Sequence, residues 1–451
     1  MESTANRACG VHGARLNLVE YAVNFSDSHA PLTKPQALIE AERCYYCYDA
    51  PCTTACPTSI DIPSFIARIA QGNERGAAKA ILEANPLGGM CARVCPTETL
   101  CEQACVRNTN EDKPVEIGSL QRYATDALFD APGAPLFTRA PSTGKRIAVV
   151  GAGPAGLACA HGLALRGNDV VLFDANAKLG GLNEYGLATY KTTNGFAQKE
   201  VDWLLSIGGI SVRCNQRLGR DMTVDSLLAS YDAVFLGIGL SGVNTIGIAE
   251  PQAEGLRNAV EFIAELRQAH DYSKVPVGRR VVVIGGGMTA VDAAVQATKL
   301  GAEDVTIVYR RGASAMSASV VEQRWAQTNG VKIRHWSAPR EVLCDDGKVT
   351  GVRFVMTSQR ADGGITETDE TYDLPADMVL KAIGQTYTAD HAGAHIALQS
   401  GRIATDEEGR TNVGRVWAGG DCRFGGRDLT VEAVEHGKVA AQSIHAALNG
   451  A

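Results

Sequence analysis

From residue 145 onward the chain alternates short, unbroken apolar runs with longer stretches of helical spacing. Residues 147–150 form an apolar run of strand length, then comes a glycine turn, a helix-spaced stretch over 154–166 and a second apolar run at 170–173. The same order returns further on, with an apolar run at 281–284, glycines at 285–287, a helical stretch over 289–300 and a run at 305–309. Runs of four or five apolar residues bounded by glycine are the pattern of buried parallel strands. Strand, crossover helix and parallel strand make a βαβ unit, so two copies predict two nucleotide-binding domains. Before residue 140 the texture differs. Residues 63–69 and 74–83 carry apolar positions at helix spacing, which predicts a mostly helical region with cysteines on its loops. Ala131-Pro132-Gly133-Ala134-Pro135, followed by Pro141-Ser142-Thr143-Gly144, reads as a linker between the two textures.

Composition narrows the class. The chain has 451 residues, enough for roughly three domains at about 150 residues each. Hydrophobic residues make up 45% and charged residues 21%, the balance of a globular protein with a sizeable core. A net charge of −7 and the lack of a basic run exclude nucleic-acid backbone as the expected partner. No stretch approaches the ~20 apolar residues of a membrane span. Met1-Glu2-Ser3-Thr4 has neither the charged nor the apolar region of a secretory signal, so a cytoplasmic location is expected.

The two glycine turns carry chemistry. In Gly151-Ala152-Gly153-Pro154-Ala155-Gly156, Gly151 permits the tight turn and Gly153 lets backbone amides approach a pyrophosphate at the helix N-terminus. Gly156 allows close helix–strand packing. Asp174 ends the next strand, where an acid bonds a ribose hydroxyl. Gly180-Gly181-Leu182 follows, as in many FAD proteins, so FAD is the expected ligand of this first unit. The second turn is Gly285-Gly286-Gly287-Met288-Thr289-Ala290, with alanine as a permitted third position. Its second strand ends in Tyr309-Arg310-Arg311 rather than an acid. Two guanidinium groups there favour the extra phosphate of NADPH over NADH. Near the C-terminus, Val416-Trp417-Ala418-Gly419-Gly420-Asp421 places an aspartate after a glycine pair at a strand end, a position that meets the FAD ribityl-phosphate region. The FAD domain is then discontinuous. No Ser-His-Asp set, paired acids or metal-type histidines stand out, and none is needed where cofactors carry the hydride and electron chemistry.

Thirteen cysteines complete the picture, eight of them between residues 44 and 105. They read Cys44-x2-Cys47-x4-Cys52-x3-Cys56-Pro57 and Cys91-x3-Cys95-Pro96-x4-Cys101-x3-Cys105. Short regular spacing with a proline after a cysteine is an iron–sulfur pattern. Structural zinc, which favours paired C-x2-C units, and disulfides are the rival readings. Cys9, Cys159, Cys214, Cys344 and Cys422 are scattered and are expected to be structural.

From about Lys34 to the C-terminus this arrangement resembles two relatives: the small, electron-input subunit of glutamate synthase and the N-terminal half of dihydropyrimidine dehydrogenase. Pro57-Thr58-Ser59-Ile60-Asp61-Ile62-Pro63-Ser64-Phe65-Ile66 and Asn85-Pro86-Leu87-Gly88 are similar to the dihydropyrimidine dehydrogenase version. Gly118-Ser119-Leu120-Gln121 carries glutamine where glutamate synthase-like chains usually have glutamate. The best match is the separate bacterial subunit that takes reducing equivalents from NAD(P)H for a pyrimidine-reducing partner. The resemblance implies two [4Fe–4S] clusters. One would be held by Cys44, Cys47, Cys52 and Cys105, the other by Cys56, Cys95, Cys101 and Gln121. Cys91 would be a bystander, although spacing alone would make it the eighth ligand. After Gly186 the family's Pro- and Arg-rich segment is replaced by Leu187-Ala188-Thr189-Tyr190-Lys191-Thr192-Thr193-Asn194-Gly195.

The expected fold is therefore α/β. An N-terminal α-helical iron–sulfur domain (1–140) precedes two Rossmann-like domains of adrenodoxin reductase-like type. The NAD(P)H domain (256–384) is inserted in the FAD domain (141–255 and 385–451). The expected function is electron input: NAD(P)H oxidised through FAD and two clusters, for an FMN-containing dihydropyrimidine dehydrogenase subunit that reduces uracil or thymine in a hetero-oligomer. The chain itself shows no FMN barrel. The alternatives are a glutamate synthase small subunit, another ferredoxin–NADP reductase-like subunit, or a redox-inactive scaffold.

Overall fold

The computed structural model describes residues 8–131, 133–388 and 395–450. The N-terminal Met1-Glu2-Ser3-Thr4 and Pro132 of the expected linker lie outside the described residues. By internal packing the chain divides into two compact units, residues 29–184, 194–241 and 387–451 in one, and residues 1–28, 185–193 and 242–386 in the other.

The first unit starts with helices. In Ile62–Ala70 the residues Ile62, Phe65, Ile66 and Ile69 are buried, one face of a helix that starts with an Asp61 cap on the Ser64 N–H and Pro63 in its first turn. Glu74–Ala84 repeats the scheme, with Asn73 capping the Gly76 N–H and Ala77, Ala78, Ile81 and Leu82 buried. Ile117–Asp130 packs against both the Glu74–Ala84 and the Gly88–Val94 helices. These helices share one core, which includes Val431 from the C-terminal helix Thr430–Asn449.

Behind them is a five-stranded parallel sheet in the order Val416–Ala418, Ala233–Leu236, Arg146–Val150, Asp169–Phe173, Ile210–Arg213. The C-terminal strand joins this sheet by pairing Val416, Trp417 and Ala418 with Val234, Phe235 and Leu236, so the nucleotide fold is built from two distant stretches of chain. The helix Thr430–Asn449 crosses Pro154–Leu165 closely, because any side chain at Gly437 would run into the Ala155 carbonyl. The expected linker is tied down. Ala140 and Thr143 donate their N–H groups to the Leu165 and Gly167 carbonyls, and Arg139 pairs with Asp169.

The second unit has its own parallel sheet, in the order Lys332–Arg334, Asp304–Val308, Arg280–Ile284, Met378–Lys381, Leu256–Asn258. A three-stranded antiparallel meander, Ser337–Asp345, Lys348–Gln359 and Ile365–Pro375, is attached to it. Two segments from elsewhere in the sequence pack here. Val11–His12 pairs with Val277–Gly278, and the buried Arg15 donates to the Val277 carbonyl at 2.8 Å. The 187–195 stretch that departs from the family pattern packs on the helix Met288–Lys299. Thr189 N–H meets Gln296 Oε1 at 3.0 Å, and Lys191 Nζ lies 2.8 Å from Asp292 and 2.9 Å from Glu322. Among the described residues, no helix is long and apolar enough to cross a membrane.

Candidate redox site: two cysteine-lined cavities and two nucleotide cradles

All thirteen cysteines are free thiols. The helical region gathers eight of them around two cavities. The first is lined by Cys44, Cys47, Cys52 and Cys105, with Tyr45 at its edge and Ile62, Ile66 and Ile117 among its walls. The second is lined by Cys56, Cys91, Cys95 and Cys101, together with Gln121, Asn85 and Val431. The chain reaches both by bending hard. Tyr46, Ala50 and Ser59 all have positive φ (52°, 33° and 53°), a conformation that L-residues hold only when their surroundings impose it.

The donor sets fit clusters of iron and sulfide. Tyr46 and Val115 direct backbone N–H groups at Cys44 Sγ (3.4 Å) and Cys105 Sγ (3.5 Å), the kind of contact that stabilises thiolate sulfur. Burial pushes the Cys52 thiol up to about 11 and drives the Cys101 thiol up as well, while the Cys95 thiol is raised first by its hydrogen bond with Cys91 and then by burial. A bound cation inverts that order and keeps such thiols ionised. Gln121 is 7% exposed, and its Nε2 donates to the Gly88 carbonyl at 2.7 Å, which leaves Oε1 as its free acceptor. Cys91, 2% exposed, lines the same cavity, so the structure brings both candidate eighth ligands to one place.

The FAD-type cradle is assembled from the residues read in the sequence. Gly151 has φ +94°, and a Cβ there would lie 2.2 Å from the Gly237 carbonyl oxygen. Gly153 caps the helix Pro154–Leu165, and its backbone lies against Gly181, just before Leu182. A Cβ on Gly156 would overlap the Gly151 carbonyl, which accounts for the third glycine. Asp174 is buried, accepts from the Ala152 N–H at 2.8 Å and the Asn176 N–H at 2.7 Å, and is pushed up by burial. Gly420 packs over Ala155, and Asp421 is raised to about 6 by burial and the nearby Asp428. The buried Asn183, absent from the sequence reading, accepts from Thr430 Oγ1 at 2.8 Å.

In the second cradle a Cβ on Gly285 would meet the Ala382 carbonyl, a Cβ on Gly286 would lie 2.5 Å from the Tyr309 ring, and Gly287 starts the helix Met288–Lys299. Thr289 lies in the first turn and Ala290 is fully buried beneath it. Arg310 and Arg311 are exposed, and among the described residues neither makes a salt bridge. Glu200, another residue without a sequence signal, is buried. It accepts from the Gly89 N–H (2.7 Å) and the Met90 N–H (3.2 Å), at the start of the helix that carries Cys91.

Two family models cover most of the chain. Residues 21–132 match dihydropyrimidine dehydrogenase domain II, 4Fe-4S cluster, and residues 145–437 match pyridine nucleotide-disulphide oxidoreductase. Among curated proteins, the Escherichia coli glutamate synthase [NADPH] small chain is 33% identical over 445 residues, 94% of this chain and 93% of that one. The Escherichia coli NAD-dependent dihydropyrimidine dehydrogenase subunit PreT is 34% identical over 429 residues, 95% and 98%. Among solved structures, Mycobacterium tuberculosis FprA in complex with NADPH superposes with a TM-score of 0.58 at 19% identity, covering 69% of this chain and 85% of that one. Thioredoxin reductase of T. acidophilum gives 0.54 at 20%, covering 67% and 99%. At these identities the two structures speak for the fold alone.

Proposed function

The chain belongs to the pyridine nucleotide-disulphide oxidoreductase family, with a dihydropyrimidine dehydrogenase-type 4Fe–4S domain ahead of it, and on that premise we propose that it is the electron-input subunit of a pyrimidine-reducing complex. It is an NAD(P)H-dependent FAD/iron–sulfur oxidoreductase. Beyond that, the proposal names two clusters, their ligands and a partner. The observation that carries it is the sorting of ligands. Cys105 leaves its neighbours in sequence to join Cys44, Cys47 and Cys52, while Gln121 joins Cys56, Cys91, Cys95 and Cys101. Spacing alone does not predict that sorting, whereas the dihydropyrimidine dehydrogenase resemblance does.

FAD, when bound, supplies the conversion of a two-electron hydride donor into single electrons. The residues do the rest. Gly151, Gly153 and Gly156 hold open the first cradle, and Gly285 and Gly287 the second. Arg310 and Arg311 present two exposed guanidinium groups, in no salt bridge among the described residues, suited to the extra phosphate of NADPH. Val431, on the helix that packs over the first cradle, also walls the Gln121 cavity and so marks the inward end of the relay. Tyr45 and the part-exposed Cys47 mark the outward end. An FMN-containing subunit that reduces the C5–C6 bond of uracil or thymine would dock there, in a hetero-oligomer.

The test is an affinity pull-down under anaerobic conditions from the native host. Recovery of a flavin-barrel chain, and NADPH-dependent uracil reduction by the pair, is the expected result. Replacing both Arg310 and Arg311 by alanine should raise KM for NADPH at least tenfold and leave that for NADH within about twofold. The second reading is a glutamate synthase small subunit, favoured by the 33% identity over nearly both full lengths. Recovery of a large amidotransferase chain would establish that role instead.

A further inference from the structure

The turn at 85–88 ends the Glu74–Ala84 helix and faces the second cavity. Its geometry is closed by three bonds. Asn85 N–H donates to the Ile81 carbonyl at 2.8 Å, Gly88 N–H to the Asn85 carbonyl at 2.9 Å, and Leu87 N–H to Asn85 Oδ1 at 3.0 Å. The last of these fixes the sense of the amide: the oxygen is held by Leu87, so the nitrogen points the other way. Asn85 is fully buried, and among the described residues its Nδ2 has no hydrogen-bond partner, although the residue lines the cavity of Cys56, Cys91, Cys95, Cys101 and Gln121.

Asparagine suits turns because its side chain can close them, and aspartate does so equally well. What aspartate lacks is the donor. A buried amide N–H₂ without an acceptor is costly, and native structures rarely leave one so. Of the other walls, Ile60, Ile62, Leu100 and Val431 are apolar, and neither Gln121 Oε1 nor the Thr97 hydroxyl accepts from Nδ2. The same turn also orients Gln121, whose Nε2 is held by the Gly88 carbonyl. One tight turn therefore sorts two amides in opposite senses: Gln121 presents oxygen to the cavity and Asn85 presents nitrogen.

We propose that Asn85 Nδ2 donates a hydrogen bond to a sulfur of the cluster held in this cavity, and that it is a positioning residue which sets that cluster's reduction potential. The inference rests on the iron–sulfur reading above. An N–H···S bond stabilises the more negative, reduced form, so its loss makes the cluster harder to reduce. The first cavity receives N–H donors from the backbone at Cys44 and Cys105, which no side-chain change removes, whereas the bond from Asn85 is open to substitution.

The test uses the full chain, purified anaerobically, with Asn85→Asp and Asn85→Ala. Aspartate keeps the acceptor for Leu87 and deletes the donor; alanine deletes both without adding charge. Iron and sulfide are assayed first, and the potentials are then measured by protein-film voltammetry. The expected result is full iron content with one potential lowered, the equilibrium for reduction falling at least tenfold, which is ~59 mV for one electron. The other cluster and the flavin stay where they are. Unchanged potentials in both variants at full iron content would overturn the proposal and leave Asn85 as a turn residue only. Pulsed ENDOR on the unmodified protein keeps the test open if the variants fail to fold: a strongly coupled proton that exchanges in D₂O is expected at this cluster, and its absence overturns the bond. A chain with no cluster in this cavity fails at the iron assay, which removes the underlying reading and the proposal together.

Discussion

The two cysteine-lined cavities occupy one helical region yet are built for opposite surroundings. The first offers four thiols, all of them partly exposed, and is edged by Tyr45, over which the Arg107 guanidinium stacks at 3.8 Å. The second adds the amide of Gln121 to four thiols, buries Cys56, Cys91 and Asn85, and ends on Val431 of the helix beside the flavin cradle. A neutral oxygen ligand in place of a thiolate leaves a cluster one unit less negative, and potential follows net charge and hydrogen bonding to the sulfurs. Burial pulls the other way, against charge. On the proposed ligand set, the difference teaches that a relay can be tuned without changing its metal: the inward site would be made easier to reduce by amides, the outward one left to solvent and backbone N–H groups.

The largest effect expected from breaking this comparison is loss of a cluster. Cys47→Ser and Cys101→Ser should each remove about half of the iron, and should remove different spectroscopic signals, because the two residues line different cavities. Loss of the same signal from both would contradict the division. Next in size, Gln121→Ala should disturb the signal that Cys101→Ser removes, while Cys91→Ser leaves both signals intact. If Cys91→Ser abolishes a cluster, the oxygen ligand and its effect on potential go with it.

A smaller effect separates the cavities by pH. Glu200 is held by burial at about 8, against an ordinary value near 4.5, with Arg93 opposing and Asp126 reinforcing the shift. It caps only the helix that leads into the second cavity. A carboxyl raised on folding is neutral in the folded state, so its contribution is complete below pH 4.5 and is lost as pH rises through about 8. The shift corresponds to a loss on the order of 5 kcal/mol. Melting temperature should fall between pH 5 and 8, and Glu200→Gln should flatten that fall. A variant with the same slope as the parent would show that another group is responsible.

Local necessity explains what could be read from the sequence. The first strand was expected at 147–150 and is Arg146–Val150; the second crossover helix was expected at 289–300 and is Met288–Lys299. Both follow from glycines that no other residue can replace, since a Cβ at Gly151 or Gly285 meets a carbonyl oxygen. The return of Val416–Ala418 to the first sheet was legible for the same reason, through Gly420 and Asp421. The ligand sorting was not legible from spacing. Cys105 reaches Cys44 because helices fold across one another, and periodicity records neighbours in sequence rather than in space. Asn85 was visible only as part of a family-like Asn-Pro-Leu-Gly string, because its meaning depends on which of its two amide atoms Leu87 occupies. Glu200 and Lys191 carry no local signal. Each is a charge that becomes informative only once burial is known.

The most direct test of the account is to count the cofactors of the anaerobically purified chain and reduce it with NADPH. The account predicts about eight iron and eight sulfide per FAD, with flavin absorbance bleached by NADPH in the absence of any partner. A colourless chain with an intact fold, or one with about four iron per FAD, would contradict it.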